Sequence, residues 1–380
     1  MMPSRYRRLA SLLALATCAC ASPALDDESL TPVEDAVTVD TSTPLARAQY
    51  DLTVAFANGY RPRCVAPTQD AGPRRRRVLV TGFGRFLTNP VNATGMLVST
   101  LVPAASYPTT APPASNQVDD PAPQTRVVQS TVRLPSVGTV DICAMILPVL
   151  WDLSAVLVLK ELESFGPDVV VMNGIAGREQ ALWMELGSVN RAMVLEDGSG
   201  ILRPRPPAGQ RFAALVPSAP ADELRRGMLL SWTAVRSAAE SALRERGAEV
   251  HDGRRFDHVL QGVLFGGFPR DGNTYLCNNV TYTVNYAMAH PGRTLTLLQA
   301  STPRRGATNR VQVRLTRDLR ASPRVFFHWP SALSGRHLEL GAEVLAAALG
   351  AQLTAARTGR EPPRLGDNAL AELSPSGETF

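Results

Sequence analysis

Cys277 sits where a loop gives way to an apolar run, Val280, Val284, Ala287 and Met288, at helical spacing. A thiol in the first turn of a helix meets the partial positive charge of backbone N–H groups, which favours its thiolate. The same N–H groups can stabilise an oxyanion. Two further groups complete a hydrolytic set, because a thiolate needs an imidazole to hold and return its proton and an acceptor to orient that imidazole. His328 ends an apolar segment, and Glu185 ends another. Taken singly, each has a plainer reading. A cysteine among Leu, Val and Tyr is commonly a small buried hydrophobe. Glu185 could be a surface carboxylate, and His328, between Phe327 and Trp329, a core histidine.

Other chemistries lack their marks. Gly82-Phe83-Gly84 does not continue as a dinucleotide loop, no Gly-Lys-Ser/Thr follows a strand, and no Gly-x-Ser-x-Gly elbow occurs. The five histidines are scattered and no Cys-x-x-Cys is present, so no metal or other cofactor is expected. The net charge of +5 is small for 380 residues. Arg74 to Arg77 form the one dense basic run and lack interleaved aromatics, so nucleic acid is not an expected partner.

The elements that must position the trio read as alternating strands and helices. Apolar runs at 77–82, 127–134, 141–149, 169–172, 258–268 and 322–330 predict strands, the 169–172 run and others leading into Gly-containing loops. Helical spacing covers 95–102, 150–165, 222–246, 280–288 and 337–356, with Asn92 as cap of the first. This alternation indicates α/β layers, with the site beyond the carboxyl ends of the strands. Residues 103–125 and 204–221 read as Pro-rich insertions, the first of them as disordered.

The amino-terminal residues carry an address. Arg5, Arg7 and Arg8 precede the apolar run 9–16 and the small residues to Ala21, the pattern of an export signal over 1–20. Leu15-Ala16-Thr17-Cys18 is close to a bacterial lipoprotein box, with Cys20 a competing site and plain secretion the other reading. An N-terminal lipid would be the only membrane attachment. Residues 21–75 read as a flexible tether in which 46–57 can dock as a helix, and 361–380 as a loose tail. Three cysteines remain outside the signal. Outside the cytosol two of them can pair, and Cys64 with Cys143 is the expected pair, although spacing alone leaves the connectivity open.

Four stretches resemble pyroglutamyl peptidase I, the pyrrolidone-carboxylate peptidase family of cysteine exopeptidases, and fall in that family's order. They are Val78-Leu79-Val80-Thr81-Gly82-Phe83-Gly84-Arg85-Phe86 with Asn92 beyond; Gly174-Ile175-Ala176-Gly177 ahead of Glu185 and Asn190; Thr274-Tyr275-Leu276-Cys277-Asn278 with Tyr282; and His328-Trp329-Pro330. The resemblance implies a three-layer α/β/α sandwich around a mixed sheet, as one catalytic domain over 76–360. It implies removal of an N-terminal pyroglutamyl residue from a peptide with a blocked N-terminus. Cys277 would be nucleophile, His328 base and then acid, and Glu185 its orienting group. Phe83 and Phe86 would line an apolar slot for the lactam ring, and Asn92 would help to order it. The chain departs from the family at Arg178, Trp183, Leu186, Asn273 and the turn Glu196-Asp197-Gly198-Ser199. Those departures leave open a cysteine amidase of other N-terminal specificity, or a silent peptide-binding envelope protein.

Overall fold

Seven strands form one mixed sheet, and both of its faces are covered by helices. A computed structural model describes residues 37–67 and 74–357, with 88, 115 and 178 left out. In chain order the strands are β1 (Arg77–Phe83), β2 (Arg126–Leu134), β3 (Gly138–Leu147), β4 (Val169–Ile175), β5 (Ala181–Glu185), β6 (Gly262–Gly266) and β7 (Arg324–Trp329). They lie side by side as β6-β5-β7-β4-β1-β3-β2. β3, β1, β4 and β7 run parallel. β2 is antiparallel to β3 and β5 to β7, and β6 is parallel to β5.

Continuous Val, Leu and Met runs make the central strands because both faces are dry. Leu79, Val170, Met172 and Phe326 enter one apolar cluster with α1 (Pro44–Gly59), α3 (Leu153–Phe165) and α5 (Leu276–Ala289). Their neighbours Val78, Val80, Val169, Val171, Val325 and Phe327 enter the other, with α2 (Ala93–Leu101), α4 (Trp232–Arg246) and α6 (Arg336–Arg357). The expected three-layer α/β/α sandwich is therefore the observed fold, and the described residues belong to one compact unit.

Several expectations are corrected. Within 21–75 the described part is folded from Val37 onward, and the helix expected to dock at 46–57 lies within α1. Thr38–Val39 pairs in parallel with Gln299–Ala300, and Tyr50 and Val54 of α1 are buried. Cys64 is bonded to Cys143 in β3, the pair expected from the sequence. The acidic composition of 26–44 hid the start of this, because Val37 and Val39, near its end, both point inward. The 103–125 insertion is anchored rather than disordered. Buried Asp119 pairs with buried Arg85, and its backbone N–H donates to Gln49 Oε1 at 2.6 Å. In the second insertion Leu215 and Val216 are buried, and their N–H groups donate to Asn190 Oδ1 at 2.8 Å. The helix expected over 222–246 starts only at Trp232. Upstream, Arg225–Gly227 pairs antiparallel with Gly187–Val189, a tertiary pairing that overrides helical spacing where Gly227 weakens the helix. The export signal, residues 68–73 and the tail lie outside the described residues.

Candidate active site

Cys277 is the second residue of α5. No side chain caps that helix, so its first-turn N–H groups remain available beside the sulfur. Two asparagines fix the helix start. Asn278 accepts from Val189 N at 2.9 Å and donates to Val189 O and Arg191 O at 2.9 and 2.8 Å. Asn279 accepts from Asp152 N at 3.0 Å and donates to Asp152 Oδ1 at 2.8 Å. Beneath the sulfur lies Gly174, at the end of β4. A Cβ there would stand 2.7 Å from Cys277 Sγ and 2.7 Å from Phe326 Cζ, closer than real Cβ contacts, so only glycine leaves the thiol its place.

His328 is brought in by strand register. It lies opposite Gly174 across the parallel pair β7–β4, which sets the imidazole next to the sulfur. On its other side β7 pairs with β5, where Phe326 opposes Glu185 and His328 opposes Trp183. Glu185 and His328 thus share a face of the sheet as diagonal neighbours. Glu185 Oε1 is 2.8 Å from His328 Nδ1, leaving Nε2 for Cys277. Both residues are nearly sealed from water, at 2% and 8% exposure.

Burial by itself pushes the imidazole towards its neutral form. The carboxylate of Glu185 and the side chain of Cys277, which is within hydrogen-bonding reach, outweigh that effect and raise the His328 pKa to about 10. Glu185 Oε2 is buried without a hydrogen-bond partner among the described residues, and Oε1 faces the imidazole at 2.8 Å. The arrangement sets an imidazole of raised pKa between a carboxyl group and a thiol.

An aromatic wall stands on the β1 side of the sulfur. Tyr275, just before α5, meets Phe86 and Trp151 edge-on, with ring centroids 6.0 and 5.4 Å apart. Its hydroxyl donates to Glu196 O. Phe86 is half-buried and packs on the same cluster as Cys277. Phe83 is 3% exposed, at the end of β1. Asn92 acts on it through Thr94: Asn92 Oδ1 accepts from the Thr94 hydroxyl at 2.8 Å, and Thr94 Oγ1 accepts from Phe83 N at 3.1 Å. It also caps α2.

The structure brings Glu185, Cys277 and His328 together and puts Phe86 in the wall, with Phe83 buried at the end of β1 and tied to Asn92 through Thr94. Three supports were not legible beforehand. Asp152 and Asn279 form a buried brace, and Asp152 has a left-handed backbone with φ 54. Burial raises the Asp152 carboxyl to about 6, against hydrogen bonds from Leu298 N, Asn279 and Val37 N. Tyr275 was a motif position without an assigned contact. Asp197, raised by burial to about 7, holds the turn that receives Tyr275. Two adjacent asparagines following a candidate nucleophile were the one local signal. The described residues that could gather round a metal are Cys64, Cys143 and Glu161, but the two sulfurs are joined in a disulfide.

No protein-family model matches the chain, and no curated protein matches it. Solved structures do resemble it at the level of the fold. Pyroglutamyl peptidase I of Bacillus amyloliquefaciens is 14% identical, with a TM-score of 0.43 over 73% of this chain and 97% of that one. Pyrrolidone carboxyl peptidase of Thermococcus litoralis is 15% identical, with a TM-score of 0.45 over 76% and 98%. A mutant pyrrolidone carboxyl peptidase from the hyperthermophile Pyrococcus furiosus is 17% identical, with a TM-score of 0.42 over 73% and 99%. The likeness is distant.

Proposed function

We propose that the protein is a cysteine exopeptidase that removes an N-terminal pyroglutamyl residue from peptides. The observation that carries this reading is the placement of His328 between Glu185 and Cys277, with the sulfur at an uncapped helix start. The four ordered sequence motifs supply the specificity.

In this reading the Cys277 thiolate attacks the pyroglutamyl carbonyl carbon, and the carbonyl π pair moves onto oxygen near the α5 N–H groups. As the C–N bond breaks, His328 Nε2–H gives its proton to the departing amine. The resulting thioester is hydrolysed by water, whose proton returns to His328, and the thiolate leaves as pyroglutamate forms. Glu185 holds the imidazole throughout. A slot walled by Phe83 and Phe86 suits a neutral lactam, because a free ammonium would lose its hydration there.

The test is reduced, purified protein with a chromogenic pyroglutamyl amide. Turnover that disappears in Cys277→Ala supports the reading. Turnover of other capped amides alone would replace it with a cysteine amidase of different specificity, a reading favoured by Trp183 and Leu186. Absence of any thiol-dependent turnover leaves a peptide-binding protein. We further propose export from the cytosol. The support is the Cys64–Cys143 disulfide, a bond that persists in oxidising compartments.

A further inference from the structure

From the edge of the sheet inward, four positions line up on the catalytic face: Leu264 on β6, Trp183 on β5, His328 on β7, and Gly174 with the Cys277 sulfur on β4. Leu264 opposes Trp183, and Trp183 opposes His328. Directly opposed residues point to the same side, with adjacent strands ~5 Å apart. Leu182, Met184 and Val263, the neighbours of this pair, face the opposite layer and are buried there.

The catalytic face is different at these two strands. Among the described residues, the core cluster under α1, α3 and α5 takes no member from β5 or β6. Trp183 is half-buried, and Leu264 is 39% exposed. An aromatic ring and a branched side chain therefore stand in an apolar strip that starts at the catalytic imidazole.

The chemistry gives this strip a direction. The acyl part of a substrate must sit by the sulfur, and the aromatic wall lies on the β1 side of it. The leaving amine must be at His328 to receive a proton. The chain attached to that amine then continues towards β5 and β6. An extended peptide advances ~3.4 Å per residue, so the first side chain beyond the scissile bond meets the strip about one strand from His328.

On this reading of the reaction, we infer that Trp183, backed by Leu264, is a specificity-determining surface for the residue after the scissile bond. It selects a bulky apolar side chain over a small or acidic one. Removing an apolar side chain from such a contact changes selectivity by about 10-fold or more.

The experiment compares pyroglutamyl-Leu, pyroglutamyl-Ala and pyroglutamyl-Asp amides in the full chain, Trp183→Ala and Leu264→Ser. The expected wild-type kcat/KM is about 10-fold higher for Leu than for Ala and lowest for Asp. In Trp183→Ala the Leu/Ala ratio falls to near one, and Leu264→Ser, an exposed change that leaves the fold alone, lowers it partway. A wild-type ratio near one, or a ratio unchanged in both variants, overturns the inference. Sedimentation is run alongside, and a wild-type dimer broken by Leu264→Ser with the ratio intact also overturns it, since the strip would then face another copy.

A second readout separates this inference from the function proposed above. Leu-amide and Ala-amide are tested as protectants of Cys277 against iodoacetamide. If no pyroglutamyl amide is turned over, the proposed function fails. Protection by Leu-amide that is lost in Trp183→Ala still upholds the surface, and equal protection by both amides sinks it.

Discussion

The two helical layers hold to the sheet by different means. Under α2, α4 and α6 the contact is mainly aliphatic, with Leu97, Val235, Leu345 and Leu349 buried against β-branched strand residues. Under α1, α3 and α5 the apolar packing encloses three carboxylates of 0% exposure besides Glu185. Glu161 accepts from Tyr60, Arg63 N and Cys64 N. Asp152 accepts from Asn279 and Leu298 N. Asp197 accepts from Ser199 and Trp151 N. Apolar burial is strong but non-directional, whereas a buried carboxylate ties named groups at fixed geometry. The layer that must hold a thiol within reach of an imidazole is the layer that uses directional bonds.

The comparison breaks most visibly at the trio itself. Cys277→Ala or His328→Ala should lower turnover by roughly 10⁴-fold or more, with little change in the melting temperature of Cys277→Ala. Glu185→Gln should cost about 10²-fold or more and move the alkaline limb of kcat/KM down from about 10 towards the ordinary histidine range. The sign follows from linkage. A folded-state pKa raised above the unfolded value near 6.5 contributes stability that is complete below about 6.5 and is lost as pH rises through about 10. Wild type should therefore lose this contribution on alkaline titration, and Glu185→Gln should lose it earlier. Stability and kcat/KM profiles over that window check both statements.

A smaller effect sharpens the contrast between layers. Asp152→Ala strands Leu298 N–H and the Asn279 amide, at ~1–3 kcal/mol for each unsatisfied group, and should also lower kcat by freeing the start of α5. Leu345→Ala, in the opposite layer, should cost a comparable ~2–5 kcal/mol yet leave kcat per folded molecule unchanged. Denaturant titration with active-site-normalised kinetics separates the two. Equal kcat losses would show that bulk stability, rather than the buried brace, sets the site.

Smallest in its effect on turnover is the staple. The Cys64–Cys143 bond joins positions 79 apart in sequence, so Cys64→Ser with Cys143→Ser should cost ~2–4 kcal/mol. Loosening should concentrate at α1, which leans on the Glu161 hub next to that bond. Hydrogen exchange would show whether α1 or α6 opens first. Opening of α6 first would contradict the account of the two layers.

How far the sequence carries is clearest in particular residues. The runs at Val169–Ile175 and Arg324–Trp329 declared themselves as doubly buried strands because Val, Met, Phe and Trp dominate them. Composition misled at 37–44. This Thr-rich stretch reads as tether when averaged, yet its Val37 and Val39 are fully buried. Arg85 and Asp119 gave no warning of their pairing, since an ion pair between distant positions leaves no local periodicity.

By itself the chain determined the alternation of strands and helices, the motif order and the three residue types suited to thiol hydrolysis, because these depend on local spacing and side-chain chemistry. Tertiary structure alone decided that His328 lies opposite both Gly174 and Trp183, that Asp152 braces the helix of Cys277, and that Leu264 and Trp183 share the face of His328. Those facts follow from strand order and register, which bring together residues as distant in the chain as Asp152 and Asn279, 127 positions apart, and short-range preference carries no record of such neighbours.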